Sequence, residues 1–427
     1  MSNVQSFVNS SSEHMEGVTF QPVPGGSNIL TPECLTLLTD LHRNFNARRK
    51  LLLQDFMSLH QERYRGVLPT FSEESLILRQ DDWKNEKATD LENLLESSPA
   101  NGSLEGNVVS MNNIVLPVWE NSLKIQALLH QKIKEGRDMI IEPRGLNYNE
   151  KSLMIDGEPV SGALLDFAIF YFKSFPLVDK VTFYISSLSS RNEASFWRDV
   201  FEFTQHYYKT EINTILCIDS LDSLFQIEEI LQQLKLFVVG LHHNRYKYMN
   251  SFISTTGEVL AQESQLTYNT PLLFYYISML KNVSQRRQIK LFNDPLLNLK
   301  TPNYISEDDL LNGEILGGSI TESALRSTIQ LCMEELNLWW NKVPLDLSRV
   351  EFLRALLNQW INKKAYFNNG VQLSSGDTQK LVRQYSTGQY DVDNMMSPNL
   401  ISLSLEDYVT LKTYGSTIPI NIHQQKL

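Results

Sequence analysis

Residues 141–172 read IEPRGLNYNEKSLMIDGEPVSGALLDFAIFYF and decide the fold of this chain. The apolar run at 139–141 that leads into them predicts a short buried strand. Pro143 fixes the backbone where this strand ends and Gly145 permits a turn, so we expect the guanidinium of Arg144 at a strand-to-loop junction. Arginine at such a junction is suited to hold an anionic oxygen, although a surface arginine in a turn is the commoner case.

Strand patterns alternate with helical patterns through the following residues. An apolar, helix-like run that contains Asp166 closes the opening stretch. Runs of β-branched, aromatic and apolar residues at 181–185, 214–218 and 237–241 predict strands, and helical patterns lie between them. Such alternation is typical of parallel βαβ units, so the sequence predicts an α/β fold with a parallel sheet.

The composition of the 427 residues argues against several classes of protein. A net charge of −11 argues against a nucleic-acid partner, and no apolar run approaches the length of a membrane span. Cys34, Cys217 and Cys332 lie far apart in the chain, which favours a reducing compartment and no cysteine metal cluster. The hydrophobic share of 42% is ordinary for a globular protein.

Three motifs within the opening stretch resemble the signature region of the A-type malate synthases. They are PRG at 143–145, EK at 150–151 and DGEPVSGALLDFAIFYF at 156–172. The resemblance covers about residues 28–287 and 313–365, and it implies a TIM-barrel-derived core with an N-terminal helical clasp and a C-terminal helical region. Two strands of the family have no counterpart beyond Arg287, and eight βα units need about 250 residues. Three outcomes are compatible with this shortage: a barrel that is opened and incomplete, one that is shrunken, or one that is rebuilt.

The resemblance divides the chain into five parts. They are a flexible N-terminus (1–28), an N-terminal helical region (29–110), a βα-barrel-like core (111–345), a C-terminal helical region (346–412) and a tail (413–427). Thr31 and Pro32 have the residue types of an N-cap and of a first helical position, so we expect the first long helix to begin there.

The chain ends in Gln425, Lys426 and Leu427, which resemble the Ser-Lys-Leu peroxisomal address. Many fungal and plant malate synthases carry such an address. We therefore expect a peroxisomal location, with the cytoplasm as the alternative, and the peroxisomal import receptor as a partner. An active malate synthase or another peroxisomal protein is a further expected partner.

The resemblance also implies a reaction and assigns residues of this chain to its steps. Malate synthases remove a proton from the acetyl group of acetyl-CoA with a carboxylate, stabilise the enolate oxygen with a cation and polarise glyoxylate with Mg²⁺. Arg144 matches the enolate-stabilising arginine of the family. Asp346 aligns with the general base, but it is equally suited to cap a helix over residues 347–361.

Both positions that hold Mg²⁺ in the family are altered. Asp219 replaces a glutamate and is one methylene shorter, which Mg²⁺ tolerates poorly. Lys247 stands in the place of an aspartate, and a cation there repels each unit of metal charge by about 4 kcal/mol at 4 Å. The adjacent His242 and His243 are poor replacements, since neighbouring strand residues face opposite ways. We expect no cofactor, or Mg²⁺ if residual activity remains, with Asp219 as the remaining ligand candidate.

Three functions are compatible with these residues. The first is a catalytically inactive pseudoenzyme with a binding or regulatory role. The second is an enzyme of altered chemistry, in which the ammonium group of Lys247 replaces Mg²⁺ as the electrophile. The third is a weakly active malate synthase of the glyoxylate cycle. We favour the first, and we expect a buried ion pair between Lys247 and Asp219 in place of the metal.

Overall fold

The structure is a computed structural model that describes residues 16–20, 29–85, 87, 108–111, 140–174, 180–257, 261–311, 319–341, 345–386, 388, 392–393 and 396. The strands are β1 (Val18–Phe20), β2 (Val108–Ser110), β3 (Ile140–Glu142), β4 (Asn149–Ile155), β5 (Glu158–Ser161), β6 (Lys180–Ile185), β7 (Glu211–Cys217), β8 (Val238–His242), β9 (Lys290–Leu291), β10 (Ser319–Ile320) and β11 (Tyr366–Phe367). The helices are α1 (Pro32–Tyr64), α2 (Leu76–Gln80), α3 (Gly162–Ser174), α4 (Arg191–Tyr208), α5 (Leu221–Phe225), α6 (Ile227–Gln233), α7 (Arg245–Thr256), α8 (Pro271–Arg287), α9 (Glu307–Leu311), α10 (Glu322–Trp340), α11 (Ser348–Asn362) and α12 (Ser375–Gln384).

Six parallel strands form the main sheet in the order β2-β3-β6-β7-β8-β9. The pairing is most extensive between β6 and β7, which run from Lys180 opposite Glu211 to Ile185 opposite Leu216. The strands predicted from the sequence correspond to β3, β6, β7 and β8, and helices connect them, so the predicted parallel βαβ architecture is confirmed. In the described part of the chain no strand pairs with the outer edges of β2 and β9, and the barrel is not closed there.

One side of this sheet is covered by a small apolar cluster. Its buried members are Ile140, Tyr184, Ile215, Cys217, Val239 and Phe292. A Cβ atom on Gly240 would lie 2.2 Å from the ring of Phe292, so β8 contacts this ring closely because residue 240 is glycine. On the other side, residues such as Phe183 and Leu216 join the larger core beneath the helices.

A second, antiparallel sheet of order β1-β4-β5 was not anticipated. β4 and β5 form a hairpin whose turn residues Asp156 and Gly157 have φ values of 53° and 81°. This is the backbone that an Asp-Gly pair favours in a two-residue turn. Val18 pairs with Ile155, so the prediction that residues 1–28 are flexible is wrong for Val18–Phe20. Likewise, Val108–Ser110 belong to the main sheet and not to the N-terminal helical region.

The first long helix, α1, begins as predicted and holds the signature stretch in place. The Thr31 hydroxyl accepts the backbone N–H of Cys34 at 3.3 Å, and Pro32 occupies the first turn. Farther along, the buried Arg49 donates to the carbonyl of Leu146 at 2.5 Å and to the side chain of Asn149 at 2.7 Å. Because these acceptors follow Arg144 directly, the helix fixes the loop at the carboxyl end of β3.

Two further predictions concern the C-terminal part. The helix expected over 347–361 is α11, Ser348–Asn362, one residue later. The tail 413–427, with Gln425, Lys426 and Leu427, lies outside the described residues. Among the helices that are described, none combines the length and apolar character that crossing a membrane requires.

Candidate functional site

A pocket of about 840 Å³ opens where the parallel strands end. Glu142 ends β3, Ser186 follows β6, Asp219 follows β7 and His242 ends β8, and all four line the pocket. Parallel strands present their carboxyl ends at one edge of the sheet, which is where βα folds bind their ligands. The strand order therefore brings together side chains that are far apart in sequence.

The ammonium group of Lys247 lies at the centre of this edge. Its Nζ atom is 3.4 Å from Glu142 Oε1, 3.4 Å from Asp219 Oδ2 and 3.0 Å from Ser186 Oγ. Lys247 reaches this place from the first turn of α7, where the Asn244 side chain accepts its backbone N–H at 3.1 Å. The predicted ion pair between Lys247 and Asp219 is present, and three acceptors surround the three ammonium protons.

The surroundings keep Lys247 charged. Burial lowers its pKa, but Glu142 and Asp219 outweigh burial and hold the pKa well above the ordinary value. Burial raises the pKa of Asp219, Lys247 opposes this shift and Glu142 adds to it. With both carboxylates ionised, the group of three charged side chains carries a net charge of −1.

Asp219 is also held from the backbone. Both of its carboxylate oxygens accept the N–H of Ser187, at 3.1 and 3.2 Å. Ser187 has a φ of 57°, in the left-handed region that residues other than glycine rarely adopt. Such a conformation costs on the order of 1–3 kcal/mol and persists where the surroundings fix it. The contact with Asp219 is one such constraint, and it fixes the carboxylate beside Lys247.

These residues do not fit a Mg²⁺ ion. Mg²⁺ requires oxygen ligands at about 2.0–2.1 Å in near-octahedral geometry. Here the oxygens of Glu142, Asp219 and Ser186 surround the Lys247 ammonium, and a dication among them would meet its charge at short range. Across the described ranges, no three side chains of the types His, Cys, Asp and Glu are arranged to hold a metal.

Arg144 is a buried anchor within the pocket wall. Its Nε and Nη2 atoms donate to the two oxygens of Asp166 at 2.9 Å each, and Nη1 donates to Glu150 at 3.1 Å. The side chain is 1% exposed, so the alternative of a surface arginine in a turn is wrong. These bonds join the loop after β3 to β4 and α3. That Arg144 binds an anionic oxygen stays a prediction. Any such oxygen would share the guanidinium with the carboxylates of Asp166 and Glu150.

Asp346 lies just before α11 and lines the pocket. Its carboxylate accepts the backbone N–H of Ser348 and the Ser348 hydroxyl, each at 2.9 Å, and it accepts the amide of Asn244 at 3.3 Å. The N-cap of α11 is Leu347, which makes no side-chain capping bond, so the prediction that Asp346 is the N-cap is wrong by one residue. The general-base role stays a prediction.

His242 and His243 both line the pocket, so the expectation that they face opposite ways is wrong. Their rings stack with centroids 5.3 Å apart. The strand ends at His242, and the alternation of a strand does not extend to the next residue. Nδ1 of His242 lies 2.8 Å from the Tyr184 hydroxyl, while Nε2 of His243 donates to the carbonyl of Asn293 at 2.9 Å.

Burial keeps both imidazoles neutral. Burial, together with the nearby His243 and Lys247, lowers the pKa of His242 to about 3. Burial also lowers the pKa of His243, although its bond to Asn293 and the charge of Asp294 oppose that shift.

Sequence reasoning missed Glu142, Ser186 and Ser187. Glu142 stands directly before Pro143 at the end of a predicted buried strand, and an acid at that place is a usable signal of a site. The two serines follow the strand at 181–185, where the sequence offers only a polar run. Their importance comes from the position of Lys247, which reaches them from another helix.

The fold and the pocket together define a βα-barrel-type protein with its site at the carboxyl ends of parallel strands. The profile of the domain described as "Malate synthase, TIM barrel domain" matches residues 138–293. The chain is 23% identical to the glyoxysomal malate synthase of Candida tropicalis, over 93% of this chain and 95% of that protein. It is 24% identical to malate synthase A of Escherichia coli, over 90% and 95% of the two chains.

A malate synthase of Myxococcus xanthus gives a similar match, with 24% identity over 82% of this chain and 84% of the relative. The chain is therefore similar to malate synthases over most of its length, and residues 138–293 match their TIM-barrel domain. The alignment with the Candida tropicalis protein spans 526 positions whereas this chain has 427 residues. That relative therefore contains segments without a counterpart here, as the two strands missing from the family pattern indicated.

The low pKa of His242 predicts a stability that falls in mild acid. Histidine in an unfolded chain binds a proton below about pH 6.5, and the folded chain does not until about pH 3, so protonation favours unfolding as the pH drops. We expect this residue to contribute a loss of about 2 kcal/mol in the free energy of unfolding between pH 8 and pH 5. Urea unfolding across this range measures it.

His242→Asn tests this expectation. His206→Asn is its control, because His206 is an exposed histidine on α4. His242→Asn is less stable at neutral pH because Tyr184 loses its imidazole partner, but its stability should depend less steeply on pH. The His206 variant should keep the slope of the wild type. If the unfolding free energy of His242→Asn fell with decreasing pH as steeply as that of the wild type, the assignment of this loss to His242 would be wrong.

Proposed function

We propose that this chain is a malate-synthase-like protein that does not catalyse the Mg²⁺-dependent condensation of acetyl-CoA with glyoxylate, and that it acts by binding. The observation that carries the proposal is the Lys247 ammonium, 3.4 Å from both Asp219 and Glu142. This ammonium group forms ion pairs with the carboxylates that would otherwise be free to bind a metal. A dication at about 4 Å from this ammonium would be repelled by roughly 8 kcal/mol at the effective dielectric of a protein surface.

A weakly active or altered malate synthase is the second candidate. It is favoured by the size of the pocket and by Asp346, which lines it as a carboxylate. In the altered chemistry, the Lys247 ammonium would donate a hydrogen bond to the carbonyl of the substrate. Each ammonium proton already has an acceptor in Glu142, Asp219 or Ser186, so the substrate would have to displace one of them. This requirement makes the second candidate the weaker one.

The location and the partners are part of the proposal. Relatives from Candida tropicalis and Glycine max are named glyoxysomal malate synthases, and this chain ends in a Lys-Leu pair. We place the protein in the peroxisome, brought there by the import receptor that reads Gln425, Lys426 and Leu427. Inside, an active malate synthase or another peroxisomal protein is its partner.

The test of catalysis is a malate assay with acetyl-CoA, glyoxylate and Mg²⁺. Purified protein should form no malate above the level of an Asp346→Asn variant prepared in parallel. Asparagine keeps one oxygen that can accept the backbone N–H of Ser348 but removes the carboxylate base, so this variant reports contaminating host enzyme. Turnover of the wild type above this control overturns the proposal.

The test of location uses an N-terminally tagged chain in yeast. Deletion of residues 425–427 should leave the tagged protein in the cytosol, because the receptor reads the terminal side chains and carboxylate. The matched variant is Gln425→Ser, which creates the standard address and should be imported at least as well as the wild type. A punctate peroxisomal pattern from the truncated chain contradicts the proposed address.

A further inference from the structure

The cationic side chains that line the pocket lie beside carboxylates. Three of them are each flanked by two carboxylates: Lys247 by Glu142 and Asp219, Arg144 by Asp166 and Glu150, and Arg349 by Glu263 and Glu335. When their members are ionised, the Lys247 and Arg144 groups each have a net charge of −1. Among the described residues that line the pocket, seven are Asp or Glu and five are Lys or Arg, so carboxylates outnumber cations.

The two remaining arginines of the pocket also have carboxylate neighbours. Arg63 lies 2.5 Å from Asp222, and Arg245 lies 4.0 Å from Glu263. Within the described residues, every arginine and lysine that lines the pocket thus has a carboxylate within 4 Å. An anionic ligand would have to compete with these carboxylates, whereas a cationic ligand would be attracted by their excess charge.

Asp346 is a pocket carboxylate with a different kind of partner. It is exposed and accepts hydrogen bonds from Ser348 and Asn244, which are both neutral. In the part of the chain that the structure describes, no Lys, Arg or His lies within ion-pair distance of it, although its charge contributes to the raised pKa of Lys247. Because it is exposed to the pocket, its carboxylate can also contact a ligand cation.

An independent observation on His243 points to a ligand that donates hydrogen bonds. This side chain lines the pocket and its residue is only 7% exposed. Because Nε2 donates to the carbonyl of Asn293, Nδ1 is an acceptor, and it has no hydrogen-bond partner among the described residues. A buried acceptor without a donor is unfavourable, so a ligand that donates a hydrogen bond there would gain affinity. Asn244, the residue after His243, donates to Asp346. A hydrogen bond therefore joins the segment that contains His243 to the segment that contains Asp346.

Part of the pocket wall is apolar. Leu53 and Phe56 of α1 and Leu338 of α10 line it. We infer that the pocket binds an organic ammonium compound, with the N–H groups at Asp346 and His243 and an apolar stem against this wall. The inference rests on the proposed binding function and names the chemical class of its ligand. The volume of about 840 Å³ falls within the range of pockets that hold small molecules.

The test compares three probes of equal length: n-butylammonium, n-butanol and n-butyrate, titrated calorimetrically into the full chain at constant ionic strength. Butylammonium should bind about tenfold more tightly than the alcohol, which is the size of one hydrogen bond to a charged group. Butyrate should bind most weakly. Equal affinities, tighter binding of butyrate, or no binding of butylammonium would each overturn the inference.

Asp346→Asn should lose the preference for the ammonium, while Asp377→Asn should keep it. Asp377 is a matched control because its carboxylate accepts a serine hydroxyl at the start of α12, as that of Asp346 does at the start of α11, and it does not line the pocket. An undiminished preference in Asp346→Asn contradicts the inference. The malate assay is independent: a chain that makes no malate and does not select the ammonium overturns this inference alone, and a chain that makes malate overturns the proposed function.

Discussion

The contact on which the site depends is the ammonium of Lys247 among acceptors from three neighbouring strands. Glu142 ends β3, Ser186 follows β6 and Asp219 follows β7, so a single side chain from α7 ties three strand ends to one helix. Removal of one partner from such a buried group leaves an uncompensated charge, which typically costs 3–5 kcal/mol. The positive charge therefore ties three strand ends to α7 through side chains of the chain itself.

The contacts of Lys247 with three strand ends suit a sheet that, within the described residues, does not close into a barrel. A closed barrel supports each strand on both sides, whereas β2 and β9 here have one neighbour each within the described chain. The alignment with the Candida tropicalis relative spans more positions than this chain has residues, in keeping with the loss of barrel segments. Lys247 joins the ends of three of the six strands of the main sheet, β3, β6 and β7, and the neighbouring β8 packs on Phe292 through Gly240.

Much of this could be predicted from sequence, because periodic patterns and a family signature report on strands and helices directly. The parallel strands, the start of α1 and the pairing of Lys247 with Asp219 were all expected, and the structure contains them. The hairpin at Asp156 and the strand at Val18–Phe20 were missed, since short strands carry little periodicity. Glu142 and the stacking of His242 on His243 were missed because they depend on where strands end in space.

The measurement that tests the central claim most directly is a double-mutant cycle of Lys247→Met and Asp219→Asn, followed by urea unfolding with and without Mg²⁺. Lys247→Met alone should lose about 3–5 kcal/mol of unfolding free energy, and the double variant should lose less than the sum of the two single variants. Mg²⁺ should leave the wild type unchanged. A Lys247→Met variant that unfolds at the wild-type urea midpoint, or a wild type stabilised by Mg²⁺, would contradict the account.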